Sequence, residues 1–167
     1  MHFKTIEKTR YNNQLKKIFF AICVYMLVIG VGLSTLLIHF FAFSDGDNFW
    51  LNASGAIIAA MSVGLLFAKF KSHPYLEDIV YIRSLKAQLN YIYRKQHKIK
   101  IAAQEGDATA MAILDYSYQT SKFVYQLDNN TLTLDDINSA QQELAALASK
   151  YQIERYKDYH QSLLKSY

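Results

Sequence analysis

Two stretches of this chain carry no Asp, Glu, Lys or Arg. The first runs 26 residues from Ile18 to Phe43, with His39 its single histidine; the second runs from Phe49 to Ala68. Five polar residues, Ser44-Asp45-Gly46-Asp47-Asn48, separate them. About 20 apolar residues in helical form suffice to cross a bilayer core. Both runs meet that length, and the short turn makes them antiparallel neighbours. The pattern predicts spans over 18–43 and 49–70, a turn at 44–48, an amino-terminal arm over 1–17 and a further region over 71–167. The first run exceeds the 7–15 residues of a signal-peptide core and no A-x-A site follows it, so both spans are read as retained.

Beyond the second run the period changes. Ser72-His73-Pro74 opens a helix, with Glu77 and Asp78 where acids complement the helix dipole. Ile82, Leu85, Leu89, Ile92, Ile99 and Ala103 then follow alternating steps of three and four, interrupted at Gln96. This is a coiled-coil-like stripe, and Gly106 is a stop signal. It predicts one helix of roughly thirty residues, about 45 Å long, presenting an assembly stripe to a partner. Asp107 is the expected N-cap of a second helix, Ala108 to about Gln126. Thr133 is the expected cap of a third, bearing Ile137, Leu144 and Leu147, and a final helix, separate from it or continuous with it, holds Ile153, Tyr156, His160, Leu163 and Leu164. No segment alternates with period two. The expectation is an all-α protein: a transmembrane hairpin followed by a helical domain.

Charge gives the hairpin a direction. The arm holds Lys4, Lys8, Arg10, Lys16 and Lys17 against Glu7, whereas the turn has Asp45 and Asp47 and no base. Residues 69–100 carry eight Lys/Arg and two Asp/Glu, net +6. Basic residues gather on the cytoplasmic side of spans. Both termini are therefore expected in the cytoplasm of a bacterium, with the turn in the periplasm. Phe41, Phe43, Phe49 and Trp50 ring that outer end, where aromatic side chains favour the interface.

Small residues predict how the spans meet. Gly30 and Ser34 on the first span, and Ala56, Ala60 and Gly64 on the second, recur every four residues. Such spacing lets helix backbones approach closely in lipid. The stripes either close the hairpin on itself or leave one face for another copy.

Candidate chemistry is sparse. Arg94, Lys95, Lys98 and Lys100 form a dense basic segment near Tyr91 and Tyr93. Anionic lipid headgroups attract such charges, and residues 101–167, with five bases and nine acids (net −4), could pair with them inside the chain. An acidic protein partner is a further reading, and nucleic acid a weaker one. Asp128-Asn129-Asn130 opens like a calcium loop, but Thr133 and Ser139 stand where Gly and Glu are required. The five histidines are scattered and Cys23 has no partner, so no metal site, cofactor or disulfide is expected. No phosphate loop or nucleophile motif occurs, and no catalytic residue is expected. The run from Ala102 to Ala112 resembles the corner of a Sel1-type repeat but occurs once, and is read as local turn chemistry.

Three pieces together resemble an uncharacterised family of short bacterial inner-membrane proteins, a domain of unknown function. They are the double span, His73-Pro74-Tyr75 with Leu89-Asn90-Tyr91-Ile92-Tyr93-Arg94-Lys95, and Leu127-Asp128-Asn129-Asn130-Thr131-Leu132-Thr133-Leu134. The resemblance covers nearly the whole chain, least clearly after about Tyr151, and implies a topology but no activity. The expectation is a non-enzymatic inner-membrane protein in contact with the lipid bilayer, whose cytoplasmic helices assemble with themselves or with another protein. The alternatives are an accessory subunit of a transport system and membrane-tethered nucleic-acid binding.

Overall fold

The computed structural model of the chain describes residues 3–42, 47–130, 132–153 and 158–167. Phe43, the turn residues 44–46, Thr131 and Tyr156 lie outside the described residues. The described residues form helices and no strand. They divide into two compact units: Thr9–Val80, and Tyr81–Tyr167 together with the chain's first eight residues.

The first unit is an antiparallel hairpin of α1 (Lys8–Phe41) and α2 (Phe49–Phe70). Ten residues of the expected arm are already helical, so α1 is 34 residues long. Both helices are long and apolar enough to cross a membrane. Their contact is made by the smallest side chains. Gly30 and Ser34 are buried on α1, and the buried residues of α2 are Gly55 and Ala59. Ala56, Ala60 and Gly64 are exposed. The register is one residue off the expected stripe, because Gly55 is where the backbones come closest. A Cβ on Gly55 would lie 2.7 Å from the Ser34 backbone nitrogen, whereas one on Gly64 would meet nothing within 4 Å. Ser34 Oγ donates to the Asn52 carbonyl oxygen at 3.2 Å, and the Tyr25 and Ser62 hydroxyls share a hydrogen bond of 2.9 Å. At the polar end of this unit the buried Asp78 accepts from Arg10 Nη2 at 2.5 Å.

A single 3-10 turn, Pro74–Leu76, follows α2, with His73 Nδ1 accepting from the Tyr75 amide at 3.1 Å. The helix expected to continue for some thirty residues is two helices, α3 (Glu77–Tyr93) and α4 (Gln96–Gln104). The break falls at the basic cluster and at Gln96, the polar interruption of the stripe. There the Lys95 amide bonds Ile92 in 3-10 fashion at 2.9 Å. The turn lets Ile92 and Ile99, on either side of it, enter one core.

That core is organised around α5 (Ala108–Leu127), which packs against α4 and α6 (Leu134–Lys150). Gly106, at φ +95, reverses the chain, and Asp107 Oδ1 accepts from the Thr109 and Ala110 amides at 2.7 and 3.2 Å. The Sel1-like segment is thus the turn chemistry its residues indicate. Thr133 does precede α6, but its hydroxyl makes no capping hydrogen bond. α6 ends at Lys150; after Gln152, at φ +56, the described chain continues irregularly to a 3-10 helix, Gln161–Ser166. This last segment covers the core with Tyr159, Leu163, Leu164 and Tyr167. The first residues of the chain belong to the same unit, where Phe3 stacks on Phe123 with ring centroids 4.7 Å apart and the Lys4 amide donates to the Tyr81 hydroxyl at 3.3 Å.

Candidate functional site

The basic segment is built into the break between α3 and α4, and the break sorts its charges. Tyr91 and Arg94 are exposed and Lys95 is half-buried. Lys95 Nζ donates to the Leu164 carbonyl oxygen at 2.6 Å, which fastens the carboxy-terminal 3-10 helix to the turn. Gln161, Ser162 and Lys165 of that helix thereby face Tyr91, Arg94 and Lys95 across a cleft of about 530 Å³. Three cations and no acidic side chain line it among the described residues. Lys165, Gln161 and Ser162 lie some seventy positions downstream, and nothing in their local pattern signals this role.

Lys98 and Lys100 do not share the cleft. Lys98 is exposed on α4, and Lys100 lines a separate depression of about 150 Å³ with Glu143 and Tyr118. Part of the positive charge is also used within the chain, since Lys86 Nζ donates to Asp128 Oδ2 at 2.6 Å. The opposed charge of the two segments is therefore spent partly on internal pairing.

The expected assembly stripe is occupied inside the chain. Ile82, Leu85, Leu89, Ile92 and Ile99 are all at most 4% exposed. Ile92 and Ile99 pack with Met111, Ile113 and Leu144. The α3–α5 contact is finished by polar groups: Tyr93 and Ser121 share a 3.0 Å hydrogen bond, and the Tyr116 hydroxyl donates to Gln88 Oε1. Heptad spacing here records how the chain packs on itself.

Titratable groups with shifted pKa lie around the carboxy-terminal strap. Burial would raise the Asp107 carboxyl, but hydrogen bonds from the Tyr167 hydroxyl and from the Ala110 and Thr109 amides outweigh it and hold it below the usual range. The Tyr167 hydroxyl, 2.7 Å from Asp107 Oδ2, is raised by burial and by that carboxylate. Tyr159 stacks on Tyr116 at 4.0 Å and is pushed up to about 12, by burial first and then by Tyr116. On α5, burial raises Asp115 against the opposing hydrogen bond from Gln119 Nε2 at 2.7 Å. These are packing sites: the tyrosine and Asp115 shifts follow from burial, and that of Asp107 from the hydrogen bonds that cap α5 and hold Tyr167.

A family model described as "Protein of unknown function (DUF3087)" matches residues 1–164. The chain belongs to the DUF3087 family. No curated protein and no solved structure matches it. The DUF3087 match spans both units and runs through the strap after Tyr151, so the segment least like the family on sequence is part of it. In this DUF3087 chain the cleft residues Arg94, Lys95, Gln161 and Ser162 all fall inside the matched span.

Proposed function

We propose that this DUF3087 chain is a non-enzymatic inner-membrane protein. α1 and α2 cross the bilayer with both chain ends in the cytoplasm, and the helical unit serves in assembly with another copy or with a partner. The observation that carries the membrane reading is the outward face of the hairpin. Phe19, Phe20, Leu27, Phe40, Met61 and Leu65 are each at least 65% exposed. An apolar surface of that extent is unfavourable in water and natural in lipid. Two observations support the sidedness. Bases flank the hairpin at both cytoplasmic ends and are missing from its turn. The residues before and after the hairpin also belong to one compact unit, which supports placing them on one side.

A reporter active only in the periplasm, fused after Tyr167, should be silent, and one inserted at the turn active. Activity at Tyr167 refutes the topology. Because the Ile82–Ile99 stripe is taken up internally, self-association is expected through outward faces such as that of Ala56, Ala60 and Gly64. Light scattering in mild detergent should give an oligomer, and a monomer at micromolar concentration refutes self-assembly. The exposed hairpin faces also suit a larger membrane partner. A transporter recovered in stoichiometric amount with the tagged chain is the result that reading expects.

A further inference from the structure

We propose that the cleft between the α3–α4 turn and the carboxy-terminal 3-10 helix binds a phosphate group: a phosphate monoester or pyrophosphate carried on a small organic body. Arg94, Lys95 and Lys165 bring three positive charges into one concavity, with no acid among the described lining residues. A monocarboxylate would neutralise one of them. A phosphate monoester carries about −1.5 to −2 at pH 7 and three acceptor oxygens, which matches the charge better. Each donor has a part. The Arg94 guanidinium is a planar fork suited to two phosphate oxygens. Lys95 has three N–H donors and uses one on the Leu164 carbonyl, leaving two for a ligand. Lys165 supplies a further point charge, while Ser162 and Gln161 offer neutral donors on the same wall. The Tyr91 ring gives the cleft an apolar side against which an organic body can lie.

The site is also pre-assembled. The bond from Lys95 to Leu164, together with that from Tyr167 to Asp107, fixes the 3-10 helix against the turn before any ligand arrives. Little ordering is left for binding to supply, which favours affinity. The lysine that builds the cleft is one that lines it.

The shared chemistry fits either a soluble phosphorylated compound or a lipid headgroup, and two probes separate them. The full chain in neutral detergent is titrated with inorganic pyrophosphate and, separately, with dihexanoyl phosphatidic acid. Pyrophosphate binding points to a soluble ligand, and binding of phosphatidic acid alone to a headgroup. Arg94→Gln with Lys165→Gln should weaken whichever probe binds by roughly ten-fold or more. Lys98→Gln, a cation outside the cleft, should leave binding unchanged. As a measurement that needs no variant, the bound probe should protect the Lys165 amine, and not that of Lys98, from acylation read by mass spectrometry. Failure of both probes to bind at millimolar concentration overturns the proposal. So does equal affinity in the double variant, or equal protection of the two lysines.

Discussion

In the hairpin, Phe20, Leu27 and Leu65 are exposed, and the interhelical contact is made by Gly30, Ser34, Gly55 and Ala59. In the helical unit, Ile92, Ile99, Met111 and Ile113 are completely buried. The two arrangements are inverse, and under the proposed membrane placement the difference is one of solvent. Water rewards burial of apolar area at about 25 cal/mol per Å², so large side chains build the α4–α5–α6 core. Lipid gives no such reward, and in the proposed bilayer setting close backbone approach and interhelical hydrogen bonds would hold α1 to α2. Truncation to Ala should therefore cost far more in the helical unit than on the outer face of the hairpin.

The largest effect is expected at Ile92. Replacing it by Ala leaves a void where three helices meet, which costs about 2–5 kcal/mol, read from urea unfolding of the helical signal. Phe20→Ala removes a larger side chain from an exposed position and should change that transition by less than about 0.5 kcal/mol. Comparable losses at the two sites would show that α1 is a core helix in water and dissolve the contrast.

Next comes the hairpin contact itself. A Cβ on Gly30 would stand 3.8 Å from that of Ala59, the mean separation of a disulfide. Gly30→Cys with Ala59→Cys, in a Cys23→Ser background, should oxidise to an intramolecular crosslink seen as a mobility shift. Adding Gly55→Leu should abolish it, because the new side chain meets the Ser34 backbone. Adding Gly64→Leu should not. A crosslink that survives Gly55→Leu would mean the helices are not held by close approach.

A smaller loss is expected at Asp107. Its carboxylate caps α5 and accepts from Tyr167. Asp107→Ala should cost about 0.5–2 kcal/mol as a lost cap, measured by thermal unfolding. Its pKa is lowered by folding, so this contribution is present above the unfolded carboxylate value. It fades as pH falls through the folded one. Asp107→Ala should thus flatten the acid limb of the stability profile, and an unchanged limb would assign that limb to other acids.

The comparison also explains what could be read in advance. The hairpin, its antiparallel sense, the Gly106–Asp107 turn and the start of α5 were legible because each rests on local chemistry: run length, turn length, a left-handed glycine and a cap. The choice between Gly55–Ala59 and Ala56–Ala60 was not. Both have the same spacing, and only the helix rotation against Ser34 separates them. The Ile82–Ile99 stripe was visible, but periodicity gives the face and not its occupant. The break at Arg94 has no proline or glycine to announce it; it is imposed by burying Ile92 and Ile99 in one core. The cleft was half legible. Arg94 and Lys95 stand out as a charge cluster, whereas Lys165 joins them only through the tertiary bond from Lys95 to Leu164.

The smallest effect tests the inner limit of the water-facing core. Tyr159 stacks on Tyr116, and its buried hydroxyl has no hydrogen-bond partner among the described residues. Tyr159→Phe therefore removes a desolvated polar atom while keeping the ring, and should be neutral or slightly stabilising at pH 7. At alkaline pH the sign changes. Folding raises the Tyr159 pKa from the ordinary 10.0 to about 12, so the unfolded chain releases this proton first. Native stability is then whole below about pH 10 and falls as pH rises towards 12. The phenylalanine variant lacks that proton, so its unfolding profile should fall less steeply above pH 10. Tyr167, raised by burial and by Asp107, titrates in the same direction and is untouched by the substitution. If the slopes of Tyr159→Phe and wild type coincide, the alkaline loss belongs to the Tyr167 latch and Tyr159 is solvated; if they separate, the strap over α5 is packed as tightly as the core beneath it.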